Sequence, residues 1–292
     1  IIYMLVRYYL NMIESNKKVL IIVPTTSLVT QMYNDFEDYS GLDDWDNESN
    51  CHKIFAGREK SNHKRVVIST WQSIYKLPKS YFKDFSVVVG DECHLFKAKS
   101  LTSVMTKLEE CPYRFGTTGT LDGTLTHKLV IEGLFGPVFK VTSTKKLIEK
   151  DLLSDLSIDC IQLDYPGYIR EKLKRSRYQD ELDFILANTK RNNFICRLCN
   201  QIKGNTLVLF QYVAKHGKPL LKMMEHECRD RDIFFVYGGT DTEVREKIRK
   251  ITEEKENAII LASYGTFSTG ISIKRLHNII FSSPSKSRIR VL

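Results

Sequence analysis

Short apolar runs rich in β-favouring residues recur along this chain, separated by stretches of helical period. In the first half the runs fall at residues 19–23, 65–69, 86–89 and 114–116. They are continuous rather than alternating, as in Val87-Val88-Val89, which suits parallel strands covered on both faces by helices. Around residues 141–164 the pattern turns charged and irregular, and a basic helical stretch at 168–187 follows. Strands then resume at 206–212, 233–237, 258–263 and 278–282, with helical stretches at 214–229 and 241–255 between them. The pattern predicts an α/β chain of two doubly wound parallel-sheet lobes, residues 1–150 and 151–292.

The two ends read differently from the interior. Residues 1–13 are apolar, but Arg7 interrupts them and they fall short of the roughly 18 apolar residues of a membrane span. A buried helix is expected there. No Ser, Thr, Asp or Asn precedes its first apolar residue, so the chain is expected to begin inside a helix. The last residues form another apolar run without a closing helix, and both ends are expected to be cut.

Composition adds a partner class. With 292 residues, 42% hydrophobic and 27% charged, and no low-complexity tract, the chain is globular and long enough for two cores. A net charge of +9 favours an acidic partner, of which a phosphate backbone is the commonest. Seven cysteines form no even, closely spaced framework, so a reducing compartment is expected. Cys196 and Cys199 make a C-x-x-C with no second pair at zinc-finger spacing, and read as small buried apolar residues on a helix.

The sharpest chemistry lies at Asp91-Glu92-Cys93-His94. Two carboxylates directly follow an apolar strand, at the carboxyl edge where open α/β sheets bind ligands. Nucleotide hydrolysis needs one carboxylate to hold Mg²⁺, often through water, and another to orient or deprotonate the attacking water. Asp91 suits the metal role and Glu92 the second. Gly90 and Cys93 are small and would permit close approach, and His94 offers a polar contact that can report the nucleotide's state. The alternative is a solvated acidic turn.

The order of motifs resembles that of superfamily 2 helicases. The tetrapeptide resembles the DExH form of their motif II, and Pro24-Thr25-Thr26, running on to Gln31, resembles motif Ia. Thr70, with Trp71 and Gln72, matches a further strand-end segment. Gly116-Thr117-Thr118-Gly119-Thr120 is similar to motif III, and Leu207 to Gln211 to motif IV. Tyr237-Gly238-Gly239 with Arg245 matches the strand, turn and helix that follow. Ala262-Ser263-Tyr264-Gly265-Thr266 through Ser268 and Gly270 to Ser272 is similar to motif V. Within the superfamily, the likeness is greatest to the UvsW type of bacteriophage DNA helicase.

The resemblance implies two RecA-like lobes, ATP and Mg²⁺ as cofactors, and DNA, branched or duplex, as partner. Asp91, Glu92 and His94 would form the catalytic group. Asp91 and Glu92 with Ser268 and Gly270 would hold the nucleotide, and Asp91 the metal. Pro24, Thr25, Thr26, Gln31, Thr70, Gln211, Gly238, Gly265 and Thr266 would hold the strand, and Thr118, Gly119 and Thr120 would couple the two sites. Hydroxyls and free N–H groups at helix starts agree with phosphate contacts that carry no base information. Trp71 reads as a core residue rather than a base-stacking one, and the basic run Arg170 to Arg177 as a solvated helix face. The kinship further implies a monomer without membrane attachment in the cytoplasm, that of the host cell if phage-encoded. It would remodel branched DNA in recombination, repair and fork rescue.

Two parts of the superfamily pattern are absent from the sequence. There is no G-x-x-x-x-G-K-[ST] phosphate loop, and no helix with Gln and Gly-Arg that would supply an arginine finger. The expectation is an internal fragment with poor ATP hydrolysis of its own, since an arginine finger alone is worth about a thousandfold or more. An RNA-directed DExH helicase, a restriction-enzyme translocation subunit and a non-catalytic nucleic-acid binder stay open.

Overall fold

The first apolar run becomes β1 (Lys18–Val23), with every residue after Lys18 buried. Beside it in the computed structural model lie β3 (Val66–Thr70), β4 (Phe85–Gly90) and β5 (Tyr113–Gly116). The structure describes residues 1–284 except 42, 56, 58, 61–62, 98, 120, 122–124 and 268–272. A strand the sequence does not announce, β2 (Cys51–Ile54), completes an all-parallel sheet of order β2-β3-β1-β4-β5. Its residues Cys-His-Lys-Ile carry too little apolar pattern to read as a strand, because an edge position buries only its two ends.

Burial on both faces explains the continuous apolar runs. Leu20, Ile22, Val67 and Val88 point to one face and pack with Ile74, Phe82, Phe96, Val104 and Met105. Val19, Ile21, Val23, Ile68, Val87 and Val89 point to the other, against Val6, Leu28, Val29, Met32 and Phe36. Each such side chain contributes roughly 1.5–3 kcal/mol when fully buried.

The opening helix, Ile2–Met12, corrects the expectation of a buried one. Tyr3, Val6 and Leu10 face the sheet, while Met4, Tyr8 and Met12 are exposed. Its apolar residues make an inward stripe plus an apolar outer face, which composition alone does not separate.

The chain divides into two units, Ile1–Ser154 and Asp155–Leu292. The basic stretch at 168–187 forms two helices, Gly167–Lys174 and Tyr178–Ala187, rather than one. The second unit holds β6 (Thr206–Phe210), β7 (Ile233–Val236), β8 (Ile259–Ser263) and β9 (Asn278–Phe281) in the parallel order β7-β8-β6-β9. Val208, Phe210, Ile259 and Leu261 pack against Ile195, Leu220 and Met224 on one face. Cys196 and Cys199, on helix Thr189–Gln201, are fully buried in that core. Leu207, Leu209, Ile260 and Ala262 form the opposite core with Ile248 and Tyr264. Among the described residues no helix is long and apolar enough to cross a membrane.

Candidate active site

A parallel sheet delivers every strand end to one edge, and in the first unit that edge carries the predicted chemistry. Register sets Val23 beside Thr70, Ile22 beside Gly90, and Gly90 beside Gly116. The segments after β1, β3, β4 and β5 therefore lie side by side.

The Asp91-Glu92 turn is clamped from both neighbouring strands. Asp91 N–H donates to the Ile22 carbonyl, Thr117 N–H to the Gly90 carbonyl, and Cys93 N–H to the Thr117 carbonyl, each at 2.9 Å. Between these ties Glu92 adopts a left-handed backbone with φ of 49°. Side chains other than glycine reach that region at a cost, and they persist there where the surroundings over-determine them.

The side chains form one polar cluster. Thr117 Oγ1 donates to Asp91 Oδ1 at 2.9 Å. His94 Nδ1 lies 2.9 Å from Thr118 Oγ1 and 3.2 Å from Glu92 Oε2. Thr118 also hydrogen-bonds the Glu92 carboxylate. With the Thr118 hydroxyl donating to Glu92, its oxygen is left to accept from His94 Nδ1–H, which fixes the imidazole tautomer. Burial, and next the charge of Asp91, push the Glu92 pKa upward, opposed by His94 and by the Thr118 bond. A raised carboxyl pKa is the adjustment that suits a general base.

Close packing accounts for both Gly90 and Gly116. A Cβ on Gly90 would meet Phe96 Cζ at 2.7 Å and Phe135 Cζ at 2.9 Å; one on Gly116 would meet Cys93 Cβ at 2.9 Å. Gly90 thus leaves room for two aromatic rings, and Cys93 is buried at 3% exposure. The aromatic pair, 5.1 Å between centroids, underlies the turn and has no signal in the sequence around Gly90. Thr117, which the motif alone does not distinguish from Thr118, is the threonine that touches Asp91.

The candidate strand-holding residues are partly brought together. Thr25 caps helix Thr26–Tyr39, its hydroxyl accepting from Leu28 N–H at 3.3 Å, and Gln31 lies in the same helix. Gln72, which is exposed, donates to the Pro24 carbonyl at 3.4 Å, so the segments after β1 and β3 touch. Thr70 is 5% exposed and pairs with the Ser73 hydroxyl at 2.9 Å. Trp71 packs on the core and meets Tyr75 edge-on.

In the second unit, Gln211 follows β6, Gly238 follows β7, and Gly265 and Thr266 follow β8, again on one carboxyl edge. Gly238 is exposed and its carbonyl accepts from Arg245, which also donates to the Thr240 carbonyl. Gly265 is exposed, whereas Thr266 is 7% exposed and its hydroxyl bonds that of Ser263. Thr70 and Thr266 would therefore offer a strand their backbone or their neighbours in preference to their own hydroxyls. Gly119 is exposed beside Thr118. Thr120, Ser268 and Gly270 lie outside the described residues.

A metal at this edge would rely on Asp91. Among the described residues no three His, Cys, Asp or Glu side chains gather into a cage. Mg²⁺ does not require one, since it takes one or two carboxylates and completes its shell with phosphate oxygens and water. The hard oxygens of Asp91, oriented by Thr117, fit that donor set.

Two parallel sheets with strand-end polar clusters define a protein of RecA-like helicase fold. The solved structure of a single-substitution variant of Dbp5 from S. cerevisiae, bound to RNA and ADP BeF3, shares that fold at a TM-score of 0.63 and 11% identity, over 98% of this chain and 68% of that one. The family described as type III restriction enzyme, res subunit, matches residues 1–123. The ATP-dependent DNA helicase UvsW of Enterobacteria phage T4 is 38% identical over 99% of this chain and 57% of its own length. A putative ATP-dependent RNA helicase of Acanthamoeba polyphaga mimivirus is 25% identical over 79% of the chain and 44% of its own length. The chain is thus homologous to UvsW over nearly its whole length, and its first 123 residues match the restriction-enzyme res subunit family. It spans about half the length of these curated relatives.

Proposed function

We propose that this chain carries the core of an ATP-dependent DNA helicase or translocase that remodels branched DNA in recombination, repair and fork rescue. The observation that carries the reading is the Asp91-Glu92 turn, fixed at the carboxyl edge of β4 by Thr117, Thr118 and His94. When bound, Mg-ATP supplies the phosphoryl group to be transferred to water. Asp91 would hold the metal, through water, and Glu92 would orient the attacking water and take its proton. His94 and Thr118 keep the Glu92 carboxylate aimed, and the family resemblance would give Ser268 and Gly270 a part in holding the nucleotide.

Coupling runs through the threonines after β5. Thr117 touches Asp91 while Thr118 touches Glu92 and His94, so a change at the phosphate is felt in the segment Thr118, Gly119 and Thr120. The strand lies along the carboxyl edges, near Pro24, Thr25, Thr26, Gln31 and Thr70 in one unit. In the other it meets Gln211, Gly238, Gly265 and Thr266. The net charge of +9 supplies long-range attraction for the phosphate backbone.

The test uses the full-length protein with Glu92→Gln. ATP turnover should fall by about a hundredfold or more while strand binding is kept. Undiminished turnover refutes the role of Glu92 and favours a non-catalytic binder. Stimulation of the wild type by branched DNA, linear duplex and RNA then separates substrates. A preference for RNA, the word in the mimivirus relative's name, would replace DNA in this reading.

A further inference from the structure

One dipeptide ties together the carboxyl edge of the second sheet. Ser282 and Ser283 follow β9 and are buried, at 1% and 4% exposure. The N–H and the hydroxyl of Ser282 both donate to the Leu209 carbonyl, at 2.9 and 2.7 Å. Ser283 Oγ accepts from Gln211 N–H at 3.0 Å and lies 2.9 Å from His216 Nδ1. The Ser283 carbonyl accepts the Tyr264 hydroxyl at 3.0 Å.

The chain of contacts continues inward with a definite direction. His216 Nε2 lies 3.2 Å from Asn192 Oδ1, and Asn192 Nδ2 donates to the Leu186 carbonyl at 2.9 Å. The Asn192 oxygen must therefore accept, so Nε2 carries the imidazole proton and Nδ1 is left as an acceptor. Ser283 gives its hydroxyl proton to Nδ1 and takes Gln211 N–H on a lone pair. Both imidazole nitrogens and the Ser283 hydroxyl proton thus have a partner. A π turn, Val213–Gly217, brings His216 inward to full burial, and Gly217 is required there because a Cβ would lie 2.6 Å from the Phe210 ring. Irregular turns of this kind concentrate at functional positions.

These contacts converge on two turns, the one at Gln211 after β6 and the one at Tyr264 after β8. We propose that Ser283, seated by His216 and Asn192, is a positioning residue that sets the spacing of these two turns for a nucleic-acid backbone. The inference rests on the reading of Gln211, Gly265 and Thr266 as strand-holding. A satisfied buried network holds one arrangement rigidly, which is what a pair of turns meeting successive phosphates requires. The groups it places are neutral, so they add affinity without adding to counterion release.

The experiment measures binding of the full-length protein to a fluorescein-labelled oligothymidylate of about 20 nucleotides, across a salt series. Ser283→Ala should weaken binding about fivefold with the salt slope unchanged, and Ser283→Thr, which keeps the hydroxyl, should recover most of the loss. Asn192→Ser removes the His216 acceptor and should weaken binding about twofold, which covers the case of a poorly folding Ser283→Ala. Wild-type affinity in Ser283→Ala, or a loss accompanied by a shallower salt slope, overturns the proposal. Gln211→Ala separates the two readings. If it weakens binding while Ser283→Ala does not, only the positioning role is wrong; if neither does, the strand-holding edge is wrong as well.

Discussion

Acid should destabilise the second unit through His216. The imidazole is fully buried, and its neighbours Ser283 and Asn192 offer it neutral hydrogen bonds. Burial first, and the Arg191 charge second, push its pKa down from 6.5 to about 4. A histidine with a depressed folded pKa stabilises the fold while it is neutral. Its contribution is complete above the unfolded value and is lost as pH falls toward the folded one. Over that span the loss approaches about 3 kcal/mol, with about 2 kcal/mol of it gone by about pH 5. Protonation would also turn Nδ1 into a donor and leave the Ser283 proton without an acceptor. The nearby Asp183–Lys215 pair titrates in the same direction but lies on the surface. It is cancelled by comparison with His216→Asn, which cannot titrate. Urea unfolding from about pH 7 to about pH 5 measures the effect, and the stability difference between wild type and variant should shrink across that range. A constant difference would refute the reasoning.

Four further outcomes concern the first unit. The acid limb of ATP turnover in the full-length protein should lie above the ordinary glutamate range, because Glu92 must be ionised to act and burial raises its pKa. Thr118→Val removes a bond that lowers this pKa, so the limb of the pH–rate profile should move to still higher pH. Gly90→Ala should cost about 1–3 kcal/mol in thermal unfolding, since its Cβ would press on the buried Phe96 ring and on Phe135. At position 92 the usual preference for alanine over glycine should invert. With φ of 49°, Glu92→Gly should be more stable than Glu92→Ala by about 1 kcal/mol, and the ordinary order would mean that the left-handed turn is not kept in solution.

The division between what the sequence discloses and what it conceals follows the range of the interactions. Val87-Val88-Val89 reads as a doubly covered strand because burial on both faces removes the need for alternation, and that need is local. Asp91-Glu92 is legible for the same reason, since the residues that do chemistry at a parallel sheet must stand at a strand end. β2 is hidden because an edge strand of four residues buries only Cys51 and Ile54. The clamp on the site is hidden more deeply. Which of two adjacent threonines reaches Asp91 depends on the register of β5 against β4, and the reason for Gly90 depends on Phe135, whose helix is distant in sequence. A glycine beside a carboxylate suggests room for a ligand when only neighbours in sequence are known. Here the room is already occupied by two aromatic rings, and they support the turn from within. The same reasoning applies to Ser283, an unremarked residue in a polar Ser-Ser-Pro stretch. Its importance comes from where β9 ends relative to β6 and β8, and no pattern within its own segment carries that information. Residues that perform chemistry are thus written locally, whereas those that position them are written in the pairing of strands.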